Sequence, residues 1–473
     1  MWSAVNRLGT AAVSFTSNLV LARLLTPDDF GCVGMLMVFI AVAGTIVDSG
    51  FDAALIQKPE PTATDYSTVL YLNVGLSVLI YAGFFLCAPA IAALYKMPSL
   101  TLLLRVLGLS VVISSLAIVQ NNQFQKQLRF ERIAAINVTS TSVGALAGIG
   151  LALAGTGVWS LVVKTLVNGT VRSLLCWRLS KWRPVSGFSA KSAKELFGFG
   201  GMMLLTNVLE TAVTQLIALI IGRSYSARQL GYYSQAVSVQ QVPETTIPFI
   251  IQQVFFPVYA ALQRDLRRLV DAWRSSLRVL TFLNFPIMVL LILTARPLMA
   301  FLLGEQWEPA APYFQILCVG GMAYALNSSN YTILQALGLG KEIVYASVLK
   351  RCISIVGILI GMKFGVYGIV WGGVLSMCLW FPINAYWAGK ATGYGFWNQV
   401  RDVWPSAAAA AAVGVVVYGA TASLLGLNGV GLMCVQALAY CCGYGGLAYV
   451  FSRDVLSACV QSVRCAVVGK QVC

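Results

Sequence analysis

The chain of 473 residues contains no histidine. That absence removes imidazole metal sites, histidine-based catalytic triads and the commonest proton shuttle near neutral pH. Charge is scarce too: Asp, Glu, Lys and Arg make up 10% of the residues, and 17 acidic side chains face 32 basic ones. Twelve cysteines are present but form no CxxC pair, which argues against a disulfide framework or a zinc site and leaves them as packing residues. The terminal "GKQVC" lacks the three residues that a prenylation box needs after its cysteine. There is no Walker lysine motif and no loop longer than about 20 residues, hence no separate nucleotide-binding domain. Energy for any work must then come from an H⁺ or Na⁺ gradient, the membrane potential or downhill consumption of a product. No constellation of residues argues for an enzyme, and none for a cofactor.

What the chain has in excess is apolar surface. Hydrophobic residues make up 58% of it and the mean hydropathy is +0.78, too apolar for an ordinary soluble globule. Apolar runs of about 20 residues recur along the whole length, so a signal peptide alone does not explain them. They predict an all-α integral membrane protein with about fourteen transmembrane helices, near 2–24, 31–56, 66–89, 100–123, 133–154, 157–178, 198–222, 232–257, 277–300, 311–337, 342–363, 366–389, 404–426 and 429–451. The net charge of +15 does not point to nucleic acid, because the basic residues sort by side of the bilayer instead of gathering on one face. The loops assigned to the inner side hold most of them, Lys350 and Arg351 included, whereas the outer loops hold few, among them Arg23, Lys96, Arg223 and Lys363. This asymmetry places both termini in the cytoplasm. Arg7, Arg105, Lys164 and Arg172 fall within spans. The basic segment 264–278 reads as amphipathic and suited to lie along the inner membrane surface, attracted by anionic lipid.

The stretch "ARLLTPDDFGCVG" at 22–34 has a counterpart in "GRSYSARQLGYYS" at 222–234. An offset of 200 pairs Arg23 with Arg223, Thr26 with Ser226, Phe30 with Leu230 and Gly31 with Gly231. "ERIAAINV" then lies over "KEIVYASV" at an offset of 210, and "GVWSLV" over "GVYGIV" at 208. Ordered blocks with a slowly drifting offset mark an internal duplication. The expected organisation is two pseudo-symmetric six-helix lobes plus two C-terminal helices. Residues 1–190 form the first lobe with a basic cytoplasmic linker, 191–392 the second, and 393–473 the last two spans and a cytoplasmic tail. Parallel lobes of this kind create a cavity that can open to either face in turn.

Polar stripes within the spans supply the candidate site. Ser3, Arg7, Thr10, Ser14 and Ser17 fall on one face of the first span, and Asn207, Glu210 and Thr214 occupy the equivalent positions of the seventh. The eighth carries Ser234, Ser238, Gln241, Thr245 and Gln252 with Glu244 beside them, and the second carries Thr45, Asp48 and Asp52. A charge near the bilayer centre costs about 2.5–3.5 kcal/mol on insertion scales, so such residues face a wet cavity or a partner. The cavity candidates are Arg7, Thr10, Ser14, Asp48, Lys164, Arg172, Asn207, Glu210, Gln241 and Glu244. The competing reading is interhelical bonding, or snorkelling for Arg172 and Arg105. Arg23 and Arg223 serve either as interfacial anchors or as a gate. Asn121, Asn122, Gln123 and Gln125, with Asn327, Ser328, Ser329, Asn330 and Gln335, suit sugars and interhelical bonds equally. Pro243, Pro248 and Pro257 offer a hinge in the eighth span.

"LARLLTPDDFGCVGM", "DSGFDAALIQKP", "NNQFQKQLRFERIA", "GTGVWSLV" and "LQALGLGKE" together resemble the polysaccharide-transporter branch of the multidrug/oligosaccharidyl-lipid/polysaccharide exporter superfamily, in particular its Wzx-type flippases for colanic acid, teichuronic acid and related exopolysaccharides. The resemblance runs over essentially the whole chain. It implies a flippase of the cell inner membrane that turns undecaprenyl-diphosphate-linked oligosaccharide units, in lipopolysaccharide and other surface polysaccharide biosynthesis, from the cytoplasmic to the periplasmic leaflet. It also implies lipid-linked oligosaccharide, membrane lipids and other polysaccharide biosynthesis proteins as partners, and several more residues ahead of "WSAVNRLG". Arg7 would then meet the diphosphate, and Glu210 would couple transport to an ion or organise the cavity. Two alternatives compete with this reading. An ion-coupled multidrug antiporter would use Asp48, Glu210 and Glu244, and a membrane polysaccharide polymerase or ligase would need a large periplasmic loop, which the chain lacks.

Overall fold

The computed structural model describes residues 2–48, 55, 58, 61–185, 187–422 and 429–451. Asp52 lies outside them. Among the described residues there are fourteen long α-helices and one short one. Met1–Ser234 form one compact unit and Gln235–Cys473 another. The first holds α1 (Trp2–Leu24), α2 (Pro27–Asp48), α3 (Ala63–Leu94), α4 (Leu100–Lys126), α5 (Phe130–Leu153), α6 (Trp159–Leu179) and α7 (Ala190–Ser224), and the start of α8 (Ala227–Ala261). The second holds the rest of α8, then α9 (Leu266–Leu293), the short α10 (Ala295–Leu303), α11 (Ala311–Ala336), α12 (Gly340–Gly361), α13 (Gly365–Thr392), α14 (Phe396–Ala422) and α15 (Val430–Phe451). α7 belongs with the first unit because it packs against α2.

The shortest of the long helices, α6, has 21 residues, and at about 1.5 Å per residue it already spans the roughly 30 Å of a hydrocarbon core. By length and apolarity nine stretches among the described residues qualify as membrane spans, with α12 and α13 joined in one. The four long helices that fall short are α1, α6, α8 and α11, the ones interrupted by polar side chains. Their hydropathy is low for the reason that makes them interesting.

Local sequence sets the helix starts. Thr26 and Asp29 close a capping box on α2: the Thr26 amide and hydroxyl donate to the Asp29 carboxylate at 3.0 and 2.7 Å, and the Asp29 amide donates back to Thr26 Oγ1 at 3.3 Å. Pro27 occupies the first helical position, where its missing N–H costs nothing. At the repeat-related start of α8, the Gln229 amide donates to Ser226 Oγ at 3.2 Å. Thr62 and Asp65 form the same box on α3, and Lys58 pairs with Asp65 at 3.1 Å.

Two sequence expectations change in the second unit. Segment 264–278 is not a separate surface helix; from Leu266 it is the continuous first half of α9, with Trp273 fully buried. The physical reason is Asp402 on α14, whose almost inaccessible carboxylate receives a bidentate pair from Arg274 at 2.6 and 2.8 Å, a bond from Arg278 Nε at 3.1 Å and the Tyr394 hydroxyl at 2.7 Å. The span expected at 277–300 likewise divides at Thr294 into α9 and α10. The three prolines of α8 do not break it; one helix runs from Ala227 to Ala261.

The polar cluster on α11 serves interhelical bonding. Asn330 and Gln399 exchange amide bonds at 2.8 and 3.1 Å, Asn384 donates to Asn327 at 2.7 Å, and Trp273 Nε1 donates to Ser329 at 3.0 Å. In the first unit Gln123 accepts from Ser180 at 3.3 Å, which leaves it turned toward the α6 end. Asp402→Ala removes the acceptor that two arginines and a tyrosine share. We expect it to destabilise the purified protein by about 1–3 kcal/mol, read as a fall in Tm in detergent, while Asp271→Ala at an exposed position of α9 leaves Tm unchanged.

Candidate functional site

A cavity of about 540 Å³ opens between α2 and α7, lined by Ala41, Gly44, Thr45, Asp48, Asn207, Glu210 and Thr211. Three of the sequence candidates, Asp48, Asn207 and Glu210, therefore share one space. The helices meet beside it through the hydroxyls of Thr45 and Thr211, 3.0 Å apart. Arg172 on α6 lies within electrostatic range of Asp48. The lining is small and polar, with two carboxylates and one amide, so it is suited to hydroxyl-rich or cationic groups and to water.

The polar stripe of α1 divides. Ser17 is buried and accepts a hydrogen bond from Lys164 Nζ at 3.0 Å, which fixes that lysine as an α1–α6 tie. Lys164 lies against Gly148 of α5, where a Cβ would come within 2.8 Å of the lysine's own Cβ. Arg7 and Ser14 are exposed, and Thr10 returns its hydroxyl to the Asn6 carbonyl at 2.6 Å. Asn6 is itself tied to Asn137 of α5 at 3.1 Å. In the second unit Gln241 is exposed, whereas Glu244 is half-buried, one turn beyond Gln240, whose amide donates to the Leu317 carbonyl at 3.1 Å. Gln241 and Glu244 thus belong to a different unit from Asp48, Asn207 and Glu210.

At the other end of α2 the duplicated turn packs against its own copy. A Cβ on Gly31 would fall 1.8 Å from the Ala227 carbonyl oxygen, and a Cβ on Gly231 would fall 2.0 Å from that of Pro27. Pro27 and Ala227 are themselves related by the offset of 200, so the crossing is reciprocal: each helix start lies on the other's glycine. Asp28 and Arg228, also an equivalent pair, bond at 2.9 Å across it. Arg23 and Arg223, the residues singled out in the sequence, are exposed beside this crossing. The missed signal was legible: the offset that aligns the turns also sets opposite charges at 28 and 228.

Residues 20–312 match the family described as polysaccharide biosynthesis protein. The chain belongs to the polysaccharide biosynthesis protein family. Over 437 residues it is 27% identical to the lipopolysaccharide biosynthesis protein WzxC of Escherichia coli, covering 88% of this chain and 87% of that one. It is also 27% identical to the succinoglycan biosynthesis transport protein ExoT of Rhizobium meliloti, over 81% and 76% of the two chains. Among solved structures, the inward closed conformation of the lipid II flippase MurJ superposes with a TM-score of 0.78 over 96% of this chain and 99% of its own, at 13% identity. An inward-facing multidrug transporter of the MATE family reaches 0.64 over 82% of this chain and 98% of its own. At such identities these two report the fold, that of a multi-pass helical transporter.

Gly31→Ala forces a backbone-level clash at the α2–α8 crossing, for which we expect a loss of about 1–3 kcal/mol. Gly44→Ala, on the same helix but with no atom of the described residues within 4 Å of the added Cβ, leaves stability unchanged. Thermal unfolding of the two purified variants side by side checks this.

Proposed function

We propose that this protein is a flippase that carries an oligosaccharide linked to a polyprenyl diphosphate from the cytoplasmic to the periplasmic leaflet of the inner membrane, both of its termini being cytoplasmic. The observation that carries the reading is the polar cavity between α2 and α7 in a chain of this family. A passenger rich in hydroxyls and carrying a diphosphate needs such a lining, whereas its lipid tail does not. The passenger leaves unchanged, so the protein acts as a carrier and not an enzyme, and other proteins of polysaccharide assembly supply and consume what it moves.

In this reading the lobes 1–190 and 191–392 open the cavity to one face of the membrane and then to the other, with 393–473 appended to the second. Arg7, exposed on α1, meets the diphosphate. Thr10 and Ser14 extend the same polar face toward the sugars, as do Asn207 and Gln241. Asp48 and Glu210 couple movement to H⁺ or Na⁺ entry, with Glu244 in the same role in the second unit, and Arg172 stands within electrostatic range of Asp48. Lys164 keeps α1 against α6 as the cavity changes shape. The reciprocal crossing of α2 and α8 is the periplasmic gate, latched by Asp28 and Arg228 and flanked by Arg23 and Arg223. One observation favours a second reading, ion-coupled export of cations: the two charged groups that line the cavity itself are both acidic.

The transbilayer distribution of lipid-linked oligosaccharide, labelled with a membrane-impermeant sugar reagent in cells lacking this chain, decides between them. Accumulation on the cytoplasmic face, relieved by the wild-type chain but reduced at least about tenfold in relief by Arg7→Ala at equal expression, is the expected result. An unchanged distribution with altered dye retention moves the assignment to cation export. For the gate, Asp28→Arg alone is expected to lower export, and the exchange Asp28→Arg with Arg228→Asp to restore it. Restoration by the exchange separates a latch from two independent surface charges.

A further inference from the structure

Asn284 of α9 is fully buried, and neither atom of its amide has a hydrogen-bond partner among the described residues. A buried amide costs free energy unless something meets it, so its surroundings matter. Leu280 and Met288, one turn to either side, share its stripe of the helix. Met288 lies against Gly321 of α11, where an added Cβ would come within 2.9 Å of the methionine sulfur. Leu280 packs in one cluster with Ala325 of α11 and Ile251 of α8. Asn284 therefore occupies the step between two contacts with α11, at the seam of α8, α9 and α11 inside the second unit.

α8 brings a carboxylate to the same step. Gln240 sits over Gly321, its Nε2 2.8 Å from where a Cβ would be, and donates to the Leu317 carbonyl at 3.1 Å. Its side chain also bonds the carboxylate of Glu244, which lies within electrostatic range of Cys318 on α11. Along α8, Glu244 falls between Gln240 at Gly321 and Ile251 at Ala325, just as Asn284 falls between Met288 and Leu280 on α9. The facing stripe of α11 offers only small side chains, Cys318, Gly321 and Ala325, which leave room between the two. Pro248, four residues after Glu244, has no N–H to give the Glu244 carbonyl, so a second oxygen of that residue lacks its helix bond. Neither facing helix supplies a counter-charge. α11 contains no charged residue, and α9 none beyond Arg278, which is engaged by Asp402.

The geometry points to a binding site for one sodium ion at this seam, held by the Glu244 carboxylate and Asn284 Oδ1, with water completing its shell. Gln240 is a positioning residue that orients the carboxylate. A buried carboxylate without a cationic partner takes up either a proton or a cation. A proton uses the carboxylate alone, whereas the unpaired amide adds a neutral oxygen of the kind that hard cations bind. Charge sets the valence: no three of His, Cys, Asp and Glu gather among the described residues, and a single carboxylate balances one positive charge. When the ion leaves, water fills the same space and meets the Asn284 amide. The inference rests on the flippase reading only for the role of the ion, which is to couple movement through Glu244.

The test unfolds the full-length chain thermally in detergent over a series of sodium chloride concentrations, with choline chloride holding the ionic strength constant. Sodium is expected to raise Tm, because an ion that binds only the folded state stabilises it, and choline is not. E244Q and N284L are each expected to need at least about tenfold more sodium for the same rise. In choline alone N284L is expected to match or exceed the wild-type Tm, since it removes a buried amide that has no protein partner there. A wild-type Tm indifferent to sodium overturns the site. So does a sodium response that either variant keeps, which leaves Asn284 as a water site or puts the ion elsewhere. Should N284L not fold, the response of E244Q decides the question alone. No sodium response, with the transbilayer distribution as expected for export, removes the site and spares the flippase reading; a sodium response with an unchanged distribution does the reverse.

Discussion

Hydrocarbon offers no hydrogen-bond partner, and the placing of polar side chains in this protein follows from that. Backbone groups are satisfied within helices. Side chains then have three outlets: a partner on a neighbouring helix, a wet cavity or an interface. Lys164 takes the first by donating to Ser17, and Asn330 and Gln399 take it by exchanging amide bonds. Asp48, Asn207 and Glu210 take the second. Asn73, Gln120 and Asn284 are fully buried with no hydrogen-bond partner among the described residues for either amide atom, which marks the sites where internal water is needed.

The duplication shapes how these outlets are used. Equivalent turns make equivalent capping contacts at Thr26 and Ser226, and the two helix starts cross because Gly31 and Gly231 both lack a Cβ. Close approach brings Asp28 to Arg228, and a contact between a segment and its own copy needs only one solution to serve both sides. Elsewhere the halves have diverged. Both α5 with α6 and the corresponding α12 with α13 close on glycines, but in the first unit Lys164 also ties α6 to α1, whereas α12 and α13 leave an apolar groove beside them.

The second unit shows how a charge network can redirect a helix. Arg274 and Arg278 belong to a segment whose composition suits a membrane surface, yet the carboxylate of Asp402 and the indole of Trp273 draw it into the packed structure. A buried acceptor shared by two arginines of α9 and a tyrosine of the α13–α14 turn is satisfied only while α9 and that turn stay docked on α14. That is a specific constraint on how α9 and α14 meet, more than a large gain in stability.

The sequence by itself determined the helical membrane class, the number of long helices, the duplication and the residue types of the cavity, because these follow from apolar run length, periodicity and offset, all one-dimensional. It also placed Asp48, Asn207 and Glu210 among the candidates. Tertiary structure decided which of them share a space, that Lys164 is a tie, that the α11 amides bond between helices, and that Lys350 and Arg351 both lie over the Trp380 ring of α13. Helical periodicity gives the face a side chain occupies but not the neighbour that face meets. Pairings such as Arg274 with Asp402, over 128 residues, are set only when distant helices pack.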